Sequence, residues 1–290
     1  MECREPEDTL GRLRTSPVPL KFTTRFRGGG HERTPMKLTG RTILITGGSA
    51  GIGLAFALKF TELGNKVIVT GRRRAVLDEV QAKYPKLQTI QSDVADPAQI
   101  AALAVRVKKD FPRLDVLMNN AGIFLPKNLK VPASDLDGLM AEVNINVGGV
   151  IRTTSALIDI LTANRGTVIN VSSGLAFVPM PATPIYCATK AAIHSYTLSL
   201  RFQLEEAGVE VIEIMPPAVK TDMTTEMVER GASTISTDDL VKQSFSALKS
   251  GSLEIHPGQS KMLALLSRLA PGLINKQLWK ASKKLVPAGA

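Results

Sequence analysis

Between residues 41 and 217 the chain alternates short apolar runs with segments of helical spacing. "TILIT" (42–46) ends in glycines, "IGLAFALKFTEL" (52–63) is helical and stops at Gly64, and "KVIVT" (66–70) is apolar again. The pattern continues with "AVLDEVQAKY" helical, "LQTIQSD" extended, "PAQIAALAVRVKKD" helical and "DVLMNNAG" extended. A long helical region follows over roughly 134–164, then "GTVINVSS" (166–173), a helix from about 185 to 207 and "VEVIEIMPP" (209–217). Short apolar strands alternating with helices specify βαβ units, a parallel sheet with helices on both faces and right-handed crossovers. The strands are almost continuously apolar, as expected of a sheet buried on both faces. No repeat or linker interrupts residues 41–257, and residues 36–257 are expected to be one α/β domain.

Composition narrows the class. A chain of 290 residues that is 44% hydrophobic can bury a large core. Its only cysteines are Cys3 and Cys187, and His31, His194 and His256 are scattered. That excludes a disulfide framework, gives no metal site, and fits a reducing compartment such as the cytoplasm. No apolar run approaches the ~20 residues that span a bilayer, and the N-terminus lacks the apolar core of a secretory signal. Residues 1–35 are polar and include "RGGGHERTP", so they are expected to be a disordered extension. Glu2, Glu5, Glu7 and Asp8 argue against a transit peptide, and Met36 opens "MKLTGRTILITGG", which looks like a natural start.

The net charge is +10, concentrated near the C-terminus. Lys261, Arg268, Lys276, Lys280, Lys283 and Lys284 are accompanied by no acid. Residues 258–290 are expected to be a solvated basic helical segment. "KMLALLSRLA" is amphipathic, but Pro271 and Gly272 break the pattern, which favours a substrate lid or oligomer contact over a membrane surface. Nucleic-acid binding is not expected.

"TGGSAGIG" (46–53) lies directly after the first strand and directly before a helix. Gly47, Gly51 and Gly53 allow a tight turn and close approach of the backbone to a pyrophosphate, which then sits at the helix N-terminus. The strand before and the helix after are what make a glycine triplet informative. At the end of the second strand, an NAD-specific site carries an acid for the ribose 2′-hydroxyl. Here Gly71 takes that place, followed by Arg72, Arg73 and Arg74, and no acid occurs until Asp78. Arginine offers a charge-assisted fork to a phosphate, so the 2′-phosphate of NADP(H) is favoured over NAD(H).

In "YCATK", Tyr186 and Lys190 are four residues apart at the start of a helical pattern. On a helix such a pair shares one face, with Cβ atoms roughly 5–6 Å apart. A phenol has an ordinary pKa of about 10, and a nearby cation favours its phenolate. The pair is either a tuned proton donor or a solvated helix face.

The glycine loop, "NNAG" (119–122), the serine-rich strand end and Y-x-x-x-K occur in a fixed order. Together they resemble the short-chain dehydrogenase/reductase family, over nearly all of residues 36–257. T-G-x-x-x-G-x-G distinguishes its common form from the extended, epimerase-like members. The run from Ser172 to Met223 also resembles a bacterial subgroup named after a reductase encoded beside teichoic-acid D-alanylation genes. The resemblance implies a Rossmann-type, doubly wound sheet and transfer of hydride between NADP(H) and a carbonyl or secondary alcohol. It also implies a small-molecule substrate and a homo-oligomer, either dimer or tetramer.

Roles follow from the resemblance residue by residue. Tyr186 is the acid/base. Lys190 holds the nicotinamide ribose and lowers the Tyr186 pKa. Ser173 hydrogen-bonds the carbonyl, with Ser172 as its rival. Asn146 in "NINVGG" holds a water in a proton relay to Lys190, with Asn144 as runner-up. Gly47, Ser49, Gly51, Ile52 and Gly53 hold the pyrophosphate, and Arg72 and Arg73 the 2′-phosphate. Asp93 contacts the adenine, Asn120, Ala121 and Gly122 line the adenosine half, and Pro216, Val219 and Thr221 border the nicotinamide. The family has Pro-Gly where this chain has Pro216-Pro217; a second proline removes an N–H and fixes φ, stiffening that loop. His194 is expected to be a packing or subunit-interface residue and Cys187 a small buried filler. Phe177, Met180 and Met223 are open to two assignments, lining of a lipophilic substrate pocket or core and loop. A non-catalytic NADP(H)-binding sensor is the competing function, and an intact Asn146, Ser173, Tyr186 and Lys190 speaks against it.

Overall fold

The apolar runs form one parallel sheet of seven strands in the computed structural model, which describes residues 35–130, 134–229 and 231–282. The strands are β1 (Thr42–Thr46), β2 (Lys66–Gly71), β3 (Gln88–Gln91), β4 (Leu114–Asn119), β5 (Thr167–Val171), β6 (Glu210–Ile214) and β7 (Glu254–Ile255). Their order is β3-β2-β1-β4-β5-β6-β7, with every neighbouring pair parallel. This is the doubly wound Rossmann-type sheet expected from the sequence. The expected N-terminal extension, Pro35 excepted, and Lys283 and Lys284 lie outside the described residues.

The helices begin with α1 (Gly51–Glu62), α2 (Arg74–Lys83) and α3 (Pro97–Asp110). Then come α4 (Leu136–Leu139), α5 (Ala141–Val143), a π-helical turn at Asn144–Gly148, and α6 (Gly149–Ala163). The chain continues with α7 (Pro184–Glu205), α8 (Thr225–Glu229), α9 (Thr237–Lys249), α10 (Ser260–Leu269) and α11 (Pro271–Ser282). Alternate residues of a strand point to opposite faces, and the core divides accordingly. Ile43, Ile45, Val67 and Val69 pack under α1, α2 and α9. Leu44, Ile68, Leu117 and Val168 pack under α3, α6 and α7.

Two parts differ from the sequence expectation. The single helical region over 134–164 is divided into α4, α5, the π-turn and the longer α6. A π-turn carries an extra residue per turn, so the side chains after it change face, and such turns are frequent at functional sites. In addition, α8, α9 and β7 fill the stretch after residue 217, to which no element was assigned. Ser236 caps α9 by accepting from the Asp239 N–H at 3.0 Å. Phe245 from α9 then lies 4.7 Å from Phe60 and 6.0 Å from Phe56, ring centre to ring centre. All three rings are buried, so α9 is held by aromatic packing against α1. Truncating Phe60 to alanine should cost ~3–5 kcal/mol, the range for a fully buried ring. Urea unfolding monitored by circular dichroism reads this directly; a loss below ~1 kcal/mol would show that the cluster is not closely packed.

Candidate active site

The strand order reverses between β1 and β4, and in such sheets ligands bind in the crevice beyond the carboxyl ends of the strands at that point. A cavity of about 1130 Å³ lies there, lined by residues from the ends of β1, β2, β4, β5 and β6. Ligand pockets commonly measure ~300–1,000 Å³, so this one is large enough for a dinucleotide together with a substrate.

The glycine loop forms the floor. Gly47 and Gly51 have φ of +63° and +52°, conformations that favour glycine. A Cβ on Gly47 would come within 2.8 Å of the Ala121 Cα. Asn120 ties this floor to the end of β4, because its Nδ2 donates to the carbonyls of Thr46 and Gly47, both at 3.1 Å. The Thr46 hydroxyl in turn accepts from the N–H groups of Asn120 and Ala121, each at 3.1 Å. Thr46 was not singled out from the sequence, although it opens the motif. Gly47, Ser49, Gly51, Ile52, Ala121 and Gly122 line the cavity, whereas Gly53 does not. A side chain at Gly53 would strike the Gly47 carbonyl and Asn120, so this glycine allows α1 to close against the loop.

The structure sorts the three arginines. Arg74 is paired with Asp78 on its own helix at 2.7 Å. Arg72 and Arg73 line the cavity, together with Asp93. Arg72 is 4.0 Å from Asp93, and its side chain is 58% exposed, so this is a weak, solvent-screened pair. Asp93 is fixed by accepting from the Ala95 N–H at 2.9 Å. The cavity therefore has a cationic rim at one end and a glycine floor that admits a backbone-bound pyrophosphate. These residues fit a phosphorylated dinucleotide.

At the other end, α7 carries Tyr186, Lys190 and His194 four residues apart, on one face. The Lys190 ammonium is buried, donates to the Val171 carbonyl at 2.9 Å, and lies 5.5 Å from the centre of the Tyr186 ring. Phe124 packs edge-on against the same ring at 4.9 Å. Ser173 hydrogen-bonds Tyr186 and accepts from the Leu175 N–H at 3.1 Å. The Ser172 hydroxyl instead donates to Glu213, so of the two serines it is Ser173 that faces Tyr186.

Asn146 is buried behind the wall and does not line the cavity. Its Oδ1 accepts from the Ile123 N–H at 2.8 Å, and its Nδ2 donates to the Ile123 carbonyl and the Thr189 hydroxyl at 2.9 and 3.1 Å. The π-turn points it inward, while Asn144 is exposed. Pro216, Val219 and Thr221 border the cavity as expected.

The electrostatics correct one expectation. Tyr186 is held above the ordinary phenol pKa rather than below it; burial is the main cause, and the hydrogen bond with Ser173 opposes it. The Lys190 ammonium is itself disfavoured by burial. Its pKa is pushed down to about 8, with the carboxylates of Glu213 and Glu142 opposing the shift. The Tyr186 hydroxyl is therefore a held proton at neutral pH.

The remaining residues divide as follows. Cys187 is a buried filler that accepts from the Met180 N–H at 3.2 Å, with its thiol pKa pushed up by burial. Met180 and Met223 line the cavity, joined by Phe124, Leu175 and Met227, which carry no motif, and by Leu263 of the amphipathic run "KMLALLSRLA". Phe177 packs against His194 and His256. The C-terminal helices reach the site too, since Leu263 of α10 and Leu278 and Lys280 of α11 line the cavity. A Cβ on Gly174, next to Ser173, would come within 3.2 Å of Leu263. Among the described residues, no cluster of histidine, cysteine and carboxylate side chains could hold a metal, and no helix is long and apolar enough to cross a membrane.

Known proteins resemble this chain in sequence and in fold. The "Uncharacterized oxidoreductase DltE" of Bacillus subtilis (strain 168) is 41% identical over 224 residues, covering 76% of this chain and 89% of DltE. A short chain dehydrogenase from Burkholderia cenocepacia J2315, solved in complex with NADP, superposes with a TM-score of 0.74 at 26% identity, covering 84% of this chain and 99% of that one. A short chain dehydrogenase/reductase from Burkholderia phymatum, solved with NAD, has the same fold with a TM-score of 0.70 at 23% identity, covering 83% and 96%. The sequence pattern of the family described as short chain dehydrogenase matches residues 41–231. That match spans well over half of the chain, and the protein therefore belongs to the short chain dehydrogenase family, in the subgroup that DltE represents.

Proposed function

We propose that this oxidoreductase is NADP(H)-dependent and interconverts a carbonyl compound and a secondary alcohol, with Tyr186 as the acid/base. The observation that carries this is the polarity of one continuous cavity. Arg72 and Arg73 lie at one end with no acid at Gly71, and Ser173, Tyr186 and Lys190 lie at the other. The family takes nicotinamide cofactors, and its solved members include both NADP and NAD complexes. The arginine pair is what favours the phosphorylated form here.

In this assignment Gly47, Ser49, Gly51 and Ile52 hold the pyrophosphate. Asp93, Asn120, Ala121 and Gly122 form the adenosine side, and Pro216, Val219 and Thr221 the nicotinamide side. The cofactor supplies hydride chemistry when bound. The protein supplies orientation and a proton. Ser173 holds the carbonyl oxygen, and the Tyr186 hydroxyl, protonated at neutral pH, donates to it. The Lys190 ammonium beside them stabilises the phenolate left behind. Asn146 keeps the wall at Ile123 fixed behind Lys190. The apolar lining from Phe124, Met180, Met227 and Leu263 suits a lipophilic substrate. Sparse cysteine usage, with Cys187 buried and free, supports a cytoplasmic setting. Apolar side chains presented to solvent on α6 and α7, such as Phe202 at 74% exposure, support association of copies.

A panel of aldehydes, ketones and secondary alcohols, followed by NADPH absorbance, tests the reaction class. We expect carbonyl-dependent NADPH consumption with at least one apolar ketone or aldehyde, faster than with NADH. Consumption of neither cofactor across the panel, by protein shown to bind NADPH, would leave a binding protein in place of an enzyme.

A further inference from the structure

Strand β6 carries a carboxylate where an apolar side chain would be expected. Glu213 is fully buried, between Ile212 and Ile214. A buried charge is costly unless it is paired and hydrogen-bonded, and both oxygens of Glu213 are engaged. Oε1 accepts a short hydrogen bond from the Ser172 hydroxyl, and Oε2 lies 2.8 Å from Nδ1 of His194. Ser172 is the chain neighbour of Ser173. His194 follows Lys190 by four residues on α7, and Lys190 follows Tyr186 by four. The Ser172 N–H also donates to the Ile214 carbonyl at 2.9 Å, so the end of β5 is pinned to β6 both at Glu213 and at Ile214.

We propose that Glu213 is a positioning residue for the reacting end of the cavity. Through Ser172 it fixes the strand end that bears Ser173, and through His194 it fixes the helix that bears Tyr186 and Lys190. This rests on the roles assigned above to Ser173, Tyr186 and Lys190. A tie of this kind is needed because the reacting side chains come from separate elements, and their relative placement must hold to about 1 Å for efficient turnover.

The same carboxylate acts on charge. Lys190 faces the Val171 carbonyl from β5, Glu213 from β6, Glu142 from α5 and the Tyr186 ring on its own helix. Burial disfavours its ammonium, and Glu213 is the larger of the two carboxylate influences that oppose this. Glu213 faces Ser172 and His194. Behind His194 stand Glu254 from β7, Arg201 on α7, and His256. The bond to Glu213 holds the imidazole of His194 above its ordinary pKa. The sign for Lys190 follows. With Glu213 neutralised, Lys190 loses its proton at a lower pH, and any binding that uses the ammonium weakens from that lower pH upward.

The test uses the full-length protein and NADPH as probe. Dissociation constants are measured by fluorescence between about pH 7 and 10 for wild type, Glu213→Gln and Glu213→Asp. Glu213→Gln should move the high-pH loss of NADPH affinity to lower pH, and Glu213→Asp, which keeps the charge, should move it clearly less. On a carbonyl substrate whose turnover depends on Tyr186, both variants should lose about ten- to a hundredfold in kcat, because both disturb the tie. A Glu213→Gln protein that melts at a lower temperature but keeps the wild-type pH limb and wild-type kcat would reduce Glu213 to a structural tie and overturn the proposal. Should Glu213→Gln fail to fold, His194→Gln breaks the other side of the tie while leaving the carboxylate, and kcat within twofold of wild type would again overturn it. Retained turnover in Tyr186→Phe would instead remove the reading on which this rests, while the pH limb of NADPH binding would still report on Glu213.

Discussion

Tyr186→Phe is expected to lower turnover by at least ~100-fold, the low end of what a positioned general acid contributes, with NADPH affinity little changed. The ring is held independently of its hydroxyl, by Phe124 at 4.9 Å and beneath Lys190 at 5.5 Å, so phenylalanine keeps the packing. What is lost is the O–H that meets Ser173 and the substrate oxygen. Because burial holds the Tyr186 pKa above its ordinary value, the hydroxyl stays protonated through neutral pH. Reduction should therefore be flat across that range in the wild type, and oxidation, which needs phenolate, should accelerate as pH rises. Steady-state NADPH absorbance on an active carbonyl, with a fluorescence titration of NADPH alongside, separates turnover from binding. A Tyr186→Phe enzyme with near-normal turnover would take the acid role away from this residue.

The second large effect is on cofactor choice. Gly71→Asp combined with Arg72→Ala should reverse the preference from NADPH to NADH. A hydrogen bond between charged groups contributes roughly 1.5–3 kcal/mol, and each 1.4 kcal/mol is tenfold in affinity. Arg72 is largely exposed and already leans toward Asp93 at 4.0 Å, which places its own share at the low end, about tenfold. Arg73 lines the same rim and will compensate in part in Arg72→Ala alone. The aspartate adds repulsion of the 2′-phosphate to the loss of attraction, and it is this repulsive element that reverses specificity. Gly71 is not in the left-handed region, so a side chain is tolerated there provided the Ser49 hydroxyl, 2.9 Å from the new Cβ, rotates away. Dissociation constants for both cofactors should be compared at one stated salt concentration, since exposed charge is screened. Wild-type protein that binds NADH as tightly as NADPH would show that Arg72 and Arg73 are only a solvated turn.

By itself the sequence determined the layered architecture, the alternation of strands and helices up to residue 217, and the kinds of side chain at each end of the cavity. It could do so because these rest on local periodicity and on motifs a few residues long. The strands from "TILIT" to "VEVIEIM" and the pair Tyr186 and Lys190 carry their meaning in their immediate neighbours. Whatever depends on partners distant in sequence was decided only by the tertiary structure. The π-turn that buries Asn146 and exposes Asn144 lies inside an apparently continuous helical pattern. The meeting of Arg72 with Asp93, 21 residues on, at the rim of the cavity joins the ends of β2 and β3. The closeness of α10 to Gly174 brings together residues from separate ends of the fold. The clearest case is the charge state. Spacing on α7 suggested that Lys190 would lower the Tyr186 pKa. Desolvation of the half-buried Tyr186 has the opposite effect, because it is set by everything that surrounds a group and not by the residue four positions away.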